Sequence, residues 1–79
     1  MPTVTGTTKD AVAFLVAYEK RTRTRPFSLS PTDIAKEIGS TAQVVGMAMK
    51  PIVQELKLLD HDVVYQKINN KRKLTFRAA

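Results

Sequence analysis

The chain contains no cysteine or tryptophan, and only one histidine and three glycines among its 79 residues. Without cysteine, neither a disulfide bond nor a thiolate metal site can hold the fold together. The histidine, His61, lies between Asp60 and Asp62, which are too few ligands for a metal centre. The longest apolar run, Ala11–Tyr18, is too short to span a bilayer and lacks the basic flank of a secretory signal. These absences predict a soluble, cytoplasmic protein with no metal ion and no membrane partner.

Size and composition predict one small folded domain. Apolar residues make up 43% of the chain, which is typical of a globular protein. The first six residues carry no periodic pattern, so residues 1–6 are expected to form a flexible tail and residues 7–79 a single domain. A core this small leaves little room for an enclosed active site. Since no nucleophile–base pair or phosphate-binding loop is evident, we expect no enzyme activity, no cofactor and no small-molecule substrate.

Positive charge is concentrated in two segments of the chain. Lys and Arg number 13 against seven Asp and Glu, which gives a net charge of +6 and a pI near 10.0. Positive charge alone could serve solubility. However, the basic residues cluster in segments 20–25 and 67–77, and clustered charges add their potentials over a surface. The clustering favours a polyanionic partner.

The first helix is predicted over residues 8–20. Thr7 and Asp10 have the spacing of a capping box, with Asp in place of the usual Glu. Apolar residues then fall on one helical stripe: Ala11, Phe14, Leu15 and Tyr18.

A short strand and a second helix follow Pro26. Phe27 and Leu29 alternate with serines, which predicts a strand over residues 27–29. Ser30 can cap a helix over residues 31–38, with proline at its first position and Asp33 in its first turn. Gly39 ends this helix, because glycine readily adopts the left-handed conformation that a helix end requires.

The third helix is predicted over residues 41–59. Thr41 can cap it, and one apolar stripe runs along it through Val45, Met49, Ile52, Leu56 and Leu59. Pro51 removes a backbone hydrogen bond, so a kink is expected there. The competing interpretation is that a new helix begins at Pro51, and the unbroken stripe favours one bent helix.

The C-terminal segment has the pattern of a β-hairpin, with strands over residues 63–68 and 71–77. An Asn69–Asn70 turn would pair Ile68 with Lys71 and make one face of the hairpin apolar near its base. In that register Lys67 faces Arg72, so the hairpin would be apolar at its root and cationic at its tip.

The spacing of Ala35, Gly39 and Val45 resembles the helix-turn-helix signature. A small residue allows the two helices to approach, glycine permits the sharp turn, and valine locks the second helix onto the first. Together with the first helix, the short strand and the basic hairpin, the chain resembles the winged helix-turn-helix superfamily over nearly its whole length. The resemblance implies an α+β fold, and a double-stranded DNA-binding protein that regulates transcription, associated with the nucleoid in a prokaryote or virus.

The resemblance also implies a set of contact residues. The third helix would enter the major groove and the hairpin, as the wing, would contact the backbone or minor groove. Contacts from the helix would come from Thr41, Ala42, Gln43, Gly46, Met47 and Lys50. Contacts from the wing would come from Lys67, Asn69, Asn70, Lys71, Arg72 and Lys73. Candidate phosphate contacts elsewhere are Arg21, Arg23, Arg25, Ser30 and Thr32.

Two questions stay open at the level of sequence. The third helix presents Val44 and Met47 where many recognition helices carry Arg or Asn, so the alternative is a protein-interaction winged helix within a larger complex. Segment 21–25 fits a solvated loop as well as a phosphate contact. With no extra terminal helix, we expect a monomer in solution or a weak homodimer on DNA.

Overall fold

The computed structural model describes residues 3–22 and 26–77, which form three helices and one three-stranded antiparallel sheet. The protein is therefore of the α+β class. Along the described chain the elements are α1 (Val4–Thr22), β1 (Phe27–Leu29), α2 (Pro31–Ile38), α3 (Ala42–Leu58), β2 (Val63–Ile68) and β3 (Lys71–Phe76).

Helix α1 starts earlier than the sequence predicted. It begins at Val4, so the expected start at Thr8 is wrong by about one turn, and residues 4–6 of the expected tail belong to the helix. Thr3 caps it, since the Gly6 N–H donates to Thr3 Oγ1 over 3.0 Å. The predicted capping box at Thr7 is wrong. That residue lies within the helix and is buried, with its hydroxyl 3.2 Å from Ser40 Oγ in the corner between α2 and α3.

The corner between α2 and α3 agrees with the sequence pattern. Ser30 Oγ accepts a hydrogen bond from Asp33 N, and Asp33 Oδ2 accepts one from Ser30 N, both over 3.2 Å. This reciprocal pair is a complete capping box. Gly39 ends α2 with a φ of 69°, in the left-handed region. The predicted bounds of α2 and the role of Gly39 are confirmed.

Helix α3 is one element with Pro51 inside it, which confirms the single-helix interpretation. Thr41 Oγ1 accepts a hydrogen bond from Val44 N over 3.2 Å and so caps the helix, as predicted. The apolar stripe ends sooner than expected. Leu56 is fully buried, whereas Leu59 is 54% exposed because α3 ends at Leu58.

The hairpin has the predicted register. Ile68 pairs with Lys71, Tyr65 with Leu74, and Val63 with Phe76. Both turn residues have positive φ, 51° at Asn69 and 66° at Asn70, as a two-residue hairpin turn of this kind requires. Strand β1 pairs with the other edge of β3, giving the order β1-β3-β2.

The core lies between the three helices and the inner face of the sheet. Its largest fully buried side chains are Phe76, Leu15, Ile34, Met49, Ile52, Leu56 and Leu74. Phe27 and Phe76 stack with their ring centroids 4.7 Å apart, which fixes the short first strand against the hairpin. None of the described helices is long and apolar enough to cross a membrane.

Candidate nucleic-acid interface

The six residues that the resemblance assigns to the third helix are all exposed, five of them on α3 and Thr41 at its N-cap. Because the core residues of this helix repeat at helical spacing, the residues between them point to solvent. Met47 is 61% exposed, while Val44 is half-buried, in agreement with its interpretation as a packing residue. The exposed residues are Thr41, Ala42, Gln43, Gly46, Met47 and Lys50.

A groove of about 560 Å³ separates this face of α3 from the hairpin. Lys50 and Lys57 contribute to it from the helix, and Arg72 contributes from β3. Gly46 and Tyr65 also line it. No Asp or Glu of the described residues lines this groove, so its electrostatic potential is set by three cations.

The hairpin changes from apolar to cationic along one face. The pairs nearest its base are Val63 with Phe76 and Tyr65 with Leu74, and the next pair on the same face is Lys67 with Arg72. Side chains alternate between the two faces of a sheet. The hairpin face that packs on the helices near its base therefore carries two cations, Lys67 and Arg72, nearer its tip. Neither cation forms an ion pair with a described residue.

The hairpin tip also lies beside the start of α2 and of α3. A second depression, of about 580 Å³, is lined by Lys71 and Arg72 together with Ser30, Thr32 and Ala42. Two of the candidate phosphate contacts, Ser30 and Thr32, are therefore close to the tip cations. Arg72 lines both depressions and links them.

Asp33 is the one carboxylate among the residues that line the second depression. Hydrogen bonds from the Ser30 backbone and side chain lower its pKa from the usual 3.8; burial opposes this shift, and Lys36 and Lys73 add smaller lowering contributions. The group is therefore ionised at neutral pH and is engaged in capping α2. Its charge works against an anion in this depression, which makes the cationic groove beside α3 the stronger anion site.

Arg21 lies away from the hairpin tip. Its guanidinium carbon is 5.7 Å from the centre of the Tyr18 ring, which in turn packs against Phe27. Phe27 pairs with Phe76, five residues and about 17 Å along β3 from Lys71. The structure does not bring Arg21 together with the tip cations, and Arg23 and Arg25 lie outside the described residues.

Lys57 is a groove residue that sequence reasoning missed. The signal was present, because positions 46, 50 and 57 fall within about 40° of one another on a helix with 100° per residue. The resemblance implies contacts from the early turns of the helix only. His61 lies in the loop between α3 and β2 and is half-buried: its Nδ1 lies 3.8 Å from Glu19 Oε2, and its ring is edge-on to Phe76. No group of three or more metal-ligating side chains occurs among the described residues.

Comparison with known proteins adds no functional assignment. No known family, no curated protein and no solved structure matches this chain. A functional interpretation therefore rests on the geometry and charge of the surface formed by α3 and the hairpin.

Proposed function

We propose that the chain is a small double-stranded DNA-binding protein of the winged helix-turn-helix type that regulates transcription. Helix α3 docks in the major groove, and the hairpin contacts the sugar–phosphate backbone or the minor groove. One observation carries this proposal: the exposed face of α3 and the cationic hairpin tip border a common groove without carboxylates.

The order and pairing of the elements support the architecture. Three helices are followed by a hairpin, and the short strand between α1 and α2 joins the hairpin at the edge of β3. In a winged helix-turn-helix protein this arrangement leaves the third helix and the hairpin tip on the same side of the molecule.

The charge distribution supports a duplex as the partner. A DNA duplex presents a dense row of phosphates, and each cation that neutralises one releases a counterion. Lys50, Lys67, Lys71 and Arg72 are all exposed around the groove and the hairpin tip. A helix of ordinary diameter fits the major groove, which is about 12 Å wide.

The residues of α3 support a modest sequence preference. Gln43 is exposed near the start of the helix and carries the amide that pairs with the edge of adenine. Ala42 and Met47 offer apolar contacts for a thymine methyl group. Because Thr41 Oγ1 already accepts the capping hydrogen bond, its hydroxyl is left to act as a donor to DNA. Phosphate contacts are therefore expected to supply most of the affinity.

The proposal is tested by the salt dependence of duplex binding. Replacing Lys71 and Arg72 together by Ala should weaken binding and reduce the slope of log K against log salt by up to about two units. The matched control replaces Lys9 and Lys20, two exposed cations of α1, and should leave the slope nearly unchanged. Equal slopes for both double variants would contradict a DNA-contacting hairpin.

A second candidate function follows from exposed apolar side chains. Met47 is 61%, Leu58 77% and Leu59 54% exposed, and such residues suit a protein partner. Backbone NMR separates the two functions during a duplex titration at low salt. Shifts confined to residues 41–50 and 67–73 support DNA binding, whereas an unchanged spectrum supports a protein-interaction module.

A further inference from the structure

The three glycines differ in what the protein itself requires of them. Gly39 has a φ of 69°, a conformation that other residues adopt with strain. At Gly6, an added Cβ would lie 3.0 Å from Thr3 Oγ1, the group that caps α1. At Gly46 the backbone is ordinary helix, and an added Cβ would meet nothing within 4 Å. The fold explains the first two glycines and leaves Gly46 unexplained.

Folding alone would favour alanine at position 46. Glycine is the least favourable residue in a helix interior apart from proline, because it loses the most conformational freedom on folding. Gly46 is exposed and lies more than a turn inside α3. Alanine would fit there without contact and would stabilise the helix. The advantage of glycine must therefore come from something outside the chain.

The surroundings of Gly46 indicate what approaches it. The residue lines the groove between α3 and the hairpin, with Lys50 one turn further along the same side and Arg72 facing from β3. The missing side chain exposes the helix backbone in the same groove as these two cations. A slender polyanionic strand fits this combination of bare backbone and flanking positive charge.

We propose, building on the DNA-binding function above, that Gly46 is the point of closest approach between α3 and the duplex. The sugar–phosphate backbone of one strand lies in van der Waals contact with the helix at Gly46, while Lys50 and Arg72 hold phosphates on either side. A methyl group at position 46 would keep the strand away from the helix and lengthen both ion contacts together. Gly46 is thus a positioning residue, which acts through the fit of the strand rather than through a bond of its own.

The test uses a substitution that moves stability and binding in opposite directions. Gly46→Ala should raise the Tm by about 4–8 °C, since alanine is more stable than glycine in a helix interior. The same substitution should weaken duplex binding by about tenfold, and Gly46→Leu should weaken it further because the obstruction is larger. A residue with a purely structural role would give a more stable protein with unchanged affinity.

The control is the reverse exchange at a remote exposed helical position. Ala17→Gly in α1 should lower the Tm by a similar amount and leave the affinity unchanged when it is measured well below the Tm. If Gly46→Ala and Gly46→Leu bind duplex DNA as tightly as the unaltered protein, the role of Gly46 is refuted and DNA binding stands. If the unaltered protein does not bind duplex DNA even at low salt, the proposed function fails, and the role of Gly46 fails with it.

Discussion

Lys67 and Arg72 lie directly opposite each other across the hairpin, on the face that turns toward α3. Like charges in this position repel each other and destabilise a sheet. Neither side chain has an acidic partner among the described residues that would offset the repulsion. The pair therefore costs the folded protein stability, and a polyanion bound at the hairpin would remove that cost.

Reversing one charge of this pair should separate stability from binding. Lys67→Glu converts the repulsion into an attraction, so the free energy of unfolding at low salt should rise by about 0.2–1 kcal/mol. Duplex affinity should fall, because a phosphate contact is replaced by a repulsive carboxylate. Thermal unfolding and fluorescence anisotropy with labelled duplex measure the two effects.

The double variant Lys67→Glu with Arg72→Glu provides the control. It restores a like-charged pair of the opposite sign, so the gain in stability should disappear. Salt offers a second check on the charge interaction. At about 1 M salt the Debye length falls to about 3 Å, so Lys67→Glu should lose most of its gain in unfolding free energy. A gain that persists in the double variant would mean that the Lys67–Arg72 repulsion is not its source.

The turn between α2 and α3 depends on the conformation of Gly39. Its φ of 69° would force a Cβ into the strained left-handed region, although the space around it is open. Gly39→Ala should therefore lower the free energy of unfolding by about 1–2 kcal/mol. Gly39→Asn should lower it less, because asparagine tolerates this conformation. Chemical denaturation measures both, and equal losses for the two variants would argue against backbone strain as the cause.

Elements that are specified by neighbouring residues could be predicted from the sequence. The cap at Ser30, the glycine after α2 and the asparagine turn of the hairpin each act over a few residues, and their predictions are confirmed. The exposed positions of α3 followed from its apolar stripe. In these segments local preference and tertiary packing favour the same structure.

Features that depend on distant contacts could not be predicted in the same way. The sequence predicts a cap at Thr7, but Thr3 caps α1 and Thr7 is buried beside Ser40. The half-burial of His61 in the loop after α3 could not be predicted, because its contacts with Glu19 and Phe76 come from other elements. The cationic groove also required the structure, since Lys50 and Arg72 are separated by 22 positions in the chain.

The capping box of α2 should make stability depend on pH in the acid range. The pKa of Asp33 is lowered in the folded state, chiefly by its hydrogen bonds with Ser30. A group with a lowered folded pKa contributes stability that is present above its unfolded pKa and is lost as the pH falls through the folded pKa. The loss is therefore expected below about pH 4.

Asp33→Ala, which removes the titrating carboxylate, should lower the free energy of unfolding by about 1 kcal/mol at neutral pH and flatten its decline in acid. Thr32→Ala, which removes a neighbouring hydroxyl without a capping role, should leave the acid decline unchanged. Urea denaturation between pH 2 and pH 7 measures both variants. An acid decline in Asp33→Ala as steep as that of the unaltered protein would assign the pH dependence to another carboxylate.

Gln43 should control which duplex is preferred more than how tightly DNA is bound. Its amide can bond to the edge of a base, while the exposed cations supply the affinity through phosphates. Gln43→Ala should therefore leave non-specific affinity nearly unchanged and relax selection at one base position in a random duplex pool. Gln54→Ala is the matched comparison: the same side chain is exposed on the same face of α3, about 16 Å further along the helix, where it lines the groove beside the hairpin. Because the two variants lose the same amide, altered selection only in Gln43→Ala would locate base contact at the start of α3. If both variants select the same sequences as the unaltered protein, Gln43 makes no base contact.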